Sequence, residues 1–406
     1  MIQPSTFYNV SSRIESNTIF NRCLMDIGGF EAPFFVMANN DTERKERASK
    51  SALYVFGTFV SPLFLLPFLN KRFLLKREII KDFKDKGADI IQLSNKHLAG
   101  TTEYFVSSVK ELGKELKRES EFKGILDNFK NKEDLKEHLI KIKSNIMCAD
   151  MLATTLFIGA IPWFINDISK LITGRKGYSG EFLLADKAYT DKMNQKHDKA
   201  KPKAMLGMAG VIVANSVFWA AMLKKGMLSK APTNKFLKFF KNNAAIFDYK
   251  KGMFMSLATY ALLELFGDTP SWIVATRDKH ERRGMAIQLI LGDALFFGGD
   301  FVLNNIAGRT LDKICKTKLM DRTNFNDKSS FFKKLLMPTN SLEKLKKLEA
   351  SGEKTLAKTK KYALGMYWGN FLLIMMGLGF GVPYITNKML RTKVKEDLQK
   401  EKYEKS

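Results

Sequence analysis

Two carboxylates, Asp293 and Asp300, stand seven residues apart in LILGDALFFGGDFVLNN, a run without a basic residue. Seven residues is almost two turns of a regular helix, so both acids are expected on one face, with Asn304 continuing the stripe. Gly292, Gly298 and Gly299 beside them leave room for another helix or a solute. A carboxylate near a bilayer centre costs about 2.5–3.5 kcal/mol on insertion scales, so two on one face require a partner, a proton or water. The chemistry expected is binding of a cation or proton. The structural alternative pairs each acid with an Arg or Lys reaching in from a loop, or keeps it protonated.

A second constellation is written twice. GFEAPFFVMANNDTERKER (Gly29–Arg47) and FGDTPSWIVATRDKHERR (Phe266–Arg283) both give an acid, a spacer and a proline, then an apolar run and an Asp eight positions after the proline. Proline lacks an N–H and clashes with the preceding turn, so Glu31 with Pro33 and Asp268 with Pro270 mark expected helix breaks. Freed backbone groups at membrane depth are tolerated where protein or a water-filled cavity satisfies them, and interrupted segments at matching repeat positions point to a transporter's site. The first copy reads as a turn at the membrane surface and the second as a broken helix, with Asp268 beside the Asp293 site. Asp41 and Asp278, each followed by Glu-Arg, read as starts of the next helix, because acids suit a helix N-terminus.

A second echo follows in the same order: AIPWFIN, holding Pro162, returns as GVPYITN, holding Pro383. The separations, 129 residues from Pro33 to Pro162 and 113 from Pro270 to Pro383, are similar. An internal duplication is therefore expected, with halves at 15–175 and 251–395. Between them lies a connecting region, 176–250, with an unpaired span at 204–223, and tails occupy 1–14 and 396–406.

The elements that must position these residues are membrane helices. Residues 51–70, 204–223 and 362–387 carry no charge, and about 20 apolar residues cross a hydrocarbon core. Weaker segments at 150–165, 252–276 and 285–308 hold acids within apolar runs, so five or six crossings are expected. Linkers 71–146 and 309–361 are charged; in the first, Ile79, Ile80, Phe83, Leu112, Leu116, Leu135, Leu139 and Ile142 recur at helical steps. That pattern predicts amphipathic helices broken near Gly87 and Gly100, either as a small subdomain or flat in the headgroup layer. The fold class expected is all-α: a polytopic helical membrane bundle with internal duplication and amphipathic helical linkers.

All 67 lysines and arginines fall outside the six segments. A lipid bilayer with anionic headgroups accounts for the net charge of +25 more simply than nucleic acid. The 224–251 loop, with eight basic residues and one acid, is placed on the cytoplasmic side by the positive-inside rule. The expected location is integral to a plasma (inner) membrane, inserted by the spans, because the start of the chain lacks the form of a cleavable signal. Cys23, Cys148 and Cys315 suggest neither disulfides nor a metal site, and no cofactor motif or catalytic triad is legible. The expected role is transporter- or channel-like, taking a small ion or solute at the acidic site; the alternative is a scaffold whose basic linkers bind anionic lipids or a soluble partner.

Overall fold

A computed structural model describes residues 4–38, 41–75, 93–173, 187–250, 254–276, 279–322, 337–350 and 356–386, with four isolated positions beyond them. It is helical throughout apart from a two-residue antiparallel pairing of Tyr249–Lys250 with Phe254–Met255 and a single bridge between Met320 and Thr339. Five helices are long and apolar enough to cross a membrane: Arg44–Phe73, Lys132–Ile165, Asn194–Leu228, Glu281–Cys315 and Leu356–Thr386. The sixth expected segment is a shorter run, Leu257–Val274, that stays helical without reversing.

The chain forms two compact units, one of Met1–Ala48, Tyr178–Thr190 and Asp278–Ser406, the other of Ser49–Gly177 and Asp191–Arg277. These do not coincide with the linear halves 15–175 and 251–395. The segment carrying Pro33 belongs with the helix that ends at Pro383, and the segment carrying Pro270 with the helix that holds Pro162.

In the unit formed by 49–177 and 191–277, the organising element is the 42-residue helix Lys132–Thr173, about 63 Å long at 1.5 Å per residue. It opens at Asn131, whose side chain accepts from the Glu133 N–H at 3.0 Å, with Glu133 and Asp134 placed to suit the helix dipole. Its first turns are amphipathic. Leu135, Leu139, Ile140, Ile142 and Ile146 are buried in a core with Leu98, Phe105, Val109, Phe122 and Ile125 from three short helices, Asn95–Ala99, Thr102–Glu115 and Glu119–Asn128. The linker is thus a small helical subdomain, broken near Gly100 as its sequence predicts; Ile79, Ile80, Phe83 and Gly87 lie outside the described residues.

One buried carboxylate ties this subdomain to the long helix and to the strand pair. Asp248 pairs with the Lys143 ammonium at 2.6 Å, and accepts from the backbone N–H of Asn95 at 2.7 Å and of Tyr249 at 2.8 Å. Lys143 also donates to the Leu93 carbonyl at 2.5 Å. With both charges buried, removing one partner strands the other.

In the other unit, Tyr8, Leu319, Leu342, Leu345, Leu356, Ala363 and Met366 form the core. Polar anchors fix the first helix, Pro4–Ser16, to it: the Tyr8 hydroxyl donates to the Leu342 carbonyl at 2.9 Å, and Glu15 accepts from the Leu342 N–H at 2.7 Å. Helix Asp300–Cys315 ends at Lys316 in the left-handed region, φ 51°. There Asp312 accepts from the N–H groups of Leu319 at 2.6 Å and Met320 at 3.1 Å, holding the chain as it leaves the helix.

Lys143→Met is expected to destabilise the protein by about 3 kcal/mol, because it leaves the buried Asp248 without its ammonium partner. Adding Asp248→Asn should recover most of that loss. Denaturant unfolding in detergent would check both, and a single variant as stable as the parent would mean the pair does not hold the subdomain.

Candidate functional site

The expected breaks at proline are not breaks in the helix. Five π turns occur among the described residues: Met25–Glu31, Phe56–Val60, Glu264–Asp268, Ala294–Gly299 and Gly377–Gly381. Four of them end two residues before a proline, namely Pro33, Pro62, Pro270 and Pro383. In each, the residue preceding the proline donates five residues back: Ala32 to Ile27, Ser61 to Phe56, Thr269 to Glu264 and Val382 to Gly377. The wider turn absorbs the missing N–H and the ring's clash while the helix keeps its direction. Pro162 differs, lying inside a continuous α-helix.

The expectation for the first copy, a turn at the membrane surface, gives way to the same local geometry as the second. Both π turns carry two buried acids, Asp26 and Glu31 in one, Glu264 and Asp268 in the other.

Around Asp268 the structure assembles a polar stripe. Tyr260, Glu264, Asp268 and Trp272 follow one another at four-residue steps and are all buried. A four-residue step overshoots an α turn, and the π turn corrects the drift. The Tyr54 hydroxyl donates to Glu264 Oε1 at 3.1 Å and lies 2.8 Å from the Tyr260 hydroxyl, which then donates to it. Trp272 Nε1 donates to Asp268 Oδ1 at 2.9 Å, and the Lys50 ammonium sits 4.2 Å above the Trp272 ring. Lys50 and Tyr54 are one turn apart on helix Asp41–Val55. Both carboxylates are thus met by neutral donors, with a cation close to the second.

The stripe's segment crosses the long helix through glycines. A side chain at Gly267 would collide with Thr155, and one at Gly159 would lie 2.9 Å from Ser271 Oγ and 3.2 Å from Ile212 Cδ1. The hydroxyls of Thr155 and Ser271 are buried there without a hydrogen-bond partner among the described residues. A few turns away the Tyr249 hydroxyl donates to Asp150 Oδ2 at 3.1 Å. Burial, then the neighbouring Asp150, pushes the Tyr249 hydroxyl well above its ordinary pKa, so it stays a donor.

The other unit repeats the crossing with different polar chemistry. A side chain at Gly379 would meet the Pro33 ring at 2.7 Å and the Gly29 carbonyl at 3.0 Å, so the two π turns approach backbone to backbone. Here a cation answers the acid: Arg22 Nε lies 3.4 Å from Asp26 Oδ2, with its guanidinium 5.6 Å from the Phe296 ring centre.

The π turn Ala294–Gly299 falls between Asp293 and Asp300, so the regular 3.6-residue turn assumed for that stretch does not hold across it. Asp293 is half-buried, and Asn304 accepts from the Asn370 amide. The side chain of Asp300 lies outside the described residues. Asp41 opens helix Asp41–Val55 and accepts from Arg44 at 2.8 Å, as its type predicts. Its counterpart Asp278 also lies outside the described residues.

Sequence reasoning singled out Asp268 but passed over Glu264, Tyr54, Tyr260 and Trp272. The signal was present as Tyr, Glu, Asp and Trp at four-residue steps in YALLELFGDTPSW. No group of three or more His, Cys, Asp or Glu side chains suited to a metal occurs among the described residues. No family model, curated protein or solved structure matches the chain.

Tyr54→Phe removes one donor from buried Glu264 and is expected to cost about 1–3 kcal/mol. Combining it with Glu264→Gln should cost less than the sum of the two single changes. A double-mutant cycle on thermal unfolding would measure this coupling, and strict additivity would show that the hydroxyl and carboxylate act independently.

Proposed function

We propose that the chain is a multi-pass membrane protein, transporter-like or channel-like, that binds a small cation or proton at Glu264 and Asp268. The observation that carries this reading is the pair of buried carboxylates on a π turn held by the hydroxyl and indole donors of Tyr54 and Trp272. π turns inside helices occur frequently at functional sites, and an ionisable residue within a membrane segment is a functional candidate by default.

Membrane insertion is supported by large apolar side chains exposed on the five candidate spans, including Phe64, Phe68, Leu206, Ile306, Leu372 and Phe380. Contiguous exposed apolar surface of this kind belongs against lipid. The basic 224–251 loop fits the cytoplasmic face of a plasma (inner) membrane.

Duplication is supported by the matched devices in the two units. Each sets an acid-bearing π turn and proline against a helix containing the Pro-aromatic echo, through glycines at the crossing. In this reading the copies are interlocked, each π-turn segment packing on the partner helix from the opposite linear half. Asp293, Asp300 and Asn304 are candidate ligands of the other unit, while Asp268 with Glu264 forms the site proposed to act.

The test is proton or cation flux into vesicles reconstituted with the full chain and loaded with a pH- or ion-sensitive dye, under an imposed membrane potential. Glu264→Gln and Asp268→Asn are each expected to lower flux about ten-fold or more, equivalent to at least 1.4 kcal/mol. Flux that survives both changes but falls with Asp293→Asn or Asp300→Asn moves the site to the other unit. Well-folded protein that gives no flux above empty vesicles sinks the transport reading and leaves the scaffold that binds anionic lipids.

A further inference from the structure

Helix Lys235–Asn242, KFLKFFKN, follows the candidate span Asn194–Leu228 and divides its residues by face. At 100° per residue, Phe236, Leu237, Phe239 and Phe240 occupy one side, and Lys235, Lys238, Lys241 and Asn242 the other. Only part of the apolar side is used by the protein. Phe240 is buried 5.7 Å from the Trp219 ring and 5.3 Å from that of Phe247. Phe236 and Phe239 remain 45% and 49% exposed. The helix has an anchored edge and a free aromatic edge.

Its depth follows from a ring contact with the span. Phe236 lies 6.3 Å from Phe218, which is itself 45% exposed beside Val217 at 49%. The uncharged part of that span ends at Lys224. Phe218 is six residues before it, about 9 Å along the helix axis. Amphipathic interfacial helices bury their apolar face about 5–10 Å below the headgroup boundary. The chain therefore turns back past its own lysines and sets Phe236 and Phe239 at the depth where lipid chains begin.

The exposed charge of the loop itself is of one sign, with Glu133 of the long helix within electrostatic reach of Lys230. Asp248, the one acid of the 224–251 loop, is buried against Lys143 and offers nothing to the surface. Lys241 is turned inward, donating to the Ser229 and Lys230 carbonyls at 2.7 Å each and closing the preceding helix end. Lys225, Lys230, Lys235 and Lys238 are exposed.

We propose that helix Lys235–Asn242 is an interfacial clasp that binds the anionic phospholipid headgroups of a bilayer surface. Phe236 and Phe239 enter the acyl boundary, and Lys235 and Lys238, with Lys225 and Lys230, meet the lipid phosphates. An aqueous protein partner fits less well, because the free aromatic edge continues directly onto lipid-exposed span residues.

The test uses the full chain with Cys23, Cys148 and Cys315 replaced by serine, carrying Phe239→Cys labelled with a small fluorophore. It is reconstituted in nanodiscs of phosphatidylcholine alone or mixed with phosphatidylglycerol. Lipid-borne quenchers are expected to reach the label and aqueous iodide to miss it, most completely with phosphatidylglycerol present. Lys235→Glu with Lys238→Glu should reverse that preference and lower retained phosphatidylglycerol in native mass spectra about ten-fold. If the charge-reversed protein aggregates, Lys235→Gln with Lys238→Gln replaces it and should still lose most of the bound lipid. Equal access of iodide in both compositions would overturn the proposal and give the aromatic edge to an aqueous partner. Lipid quenching indifferent to both phosphatidylglycerol and lysine charge would also overturn it, leaving apolar contact without headgroup binding.

Discussion

A proline inside an apolar helix must leave no backbone group stranded, and much of this structure follows from how that demand is met. Apolar surroundings offer no water to a freed N–H or C=O, so each carbonyl that proline deprives of its donor needs another solution. The chain widens one turn ahead of Pro33, Pro62, Pro270 and Pro383, and the residue before each proline reaches five residues back. The helices stay continuous, and each acquires a place where the spacing of side chains differs from that of the turns around it.

That altered spacing is used for packing and for polar placement together. At Gly29 and Gly379 in one unit, and at Gly267 and Gly159 in the other, the helices approach so closely that a side chain would strike its neighbour. Close approach excludes solvent from the crossing, where buried carboxylates require protein donors. Tyr54 and Trp272 supply them in one unit and Arg22 in the other. A leucine in place of Gly267 would alter helix spacing and site together, since the segment bearing Asp268 is held against Thr155 by that contact.

The long apolar helices were legible because uncharged runs of membrane length are a composition signal that needs no partner. The linker helices were legible because Leu135, Leu139 and Ile142 repeat at helical steps, and all three are buried. Two things were not. Echoes such as AIPWFIN and GVPYITN give the order of similar pieces without saying which pack together, and each compact unit draws segments from both linear halves. The face shared by Asp293 and Asp300 assumed 3.6 residues per turn, an assumption that fails at the intervening π turn. That turn has no proline two residues past its end to announce it, unlike the other four. Lys143 and Asp248, 105 residues apart, carry no local signal at all.

The two acid-bearing turns differ in a way that bears on which of them can work. A guanidinium stays charged at any ordinary pH, so Arg22 sets a permanent positive charge beside Asp26. Tyrosine and indole donors supply hydrogen bonds without a compensating charge. Glu264 and Asp268, lying four residues apart in low-dielectric surroundings, repel one another when both are ionised, as paired carboxylates sharing a site do. Lys50, resting over the Trp272 ring, offsets part of that repulsion. A proton or small cation bound at this pair, as proposed above, would lower that repulsion further. The contrast on which the proposal rests is therefore one of donors: neutral hydroxyl and indole groups at Glu264 and Asp268, a guanidinium at Asp26.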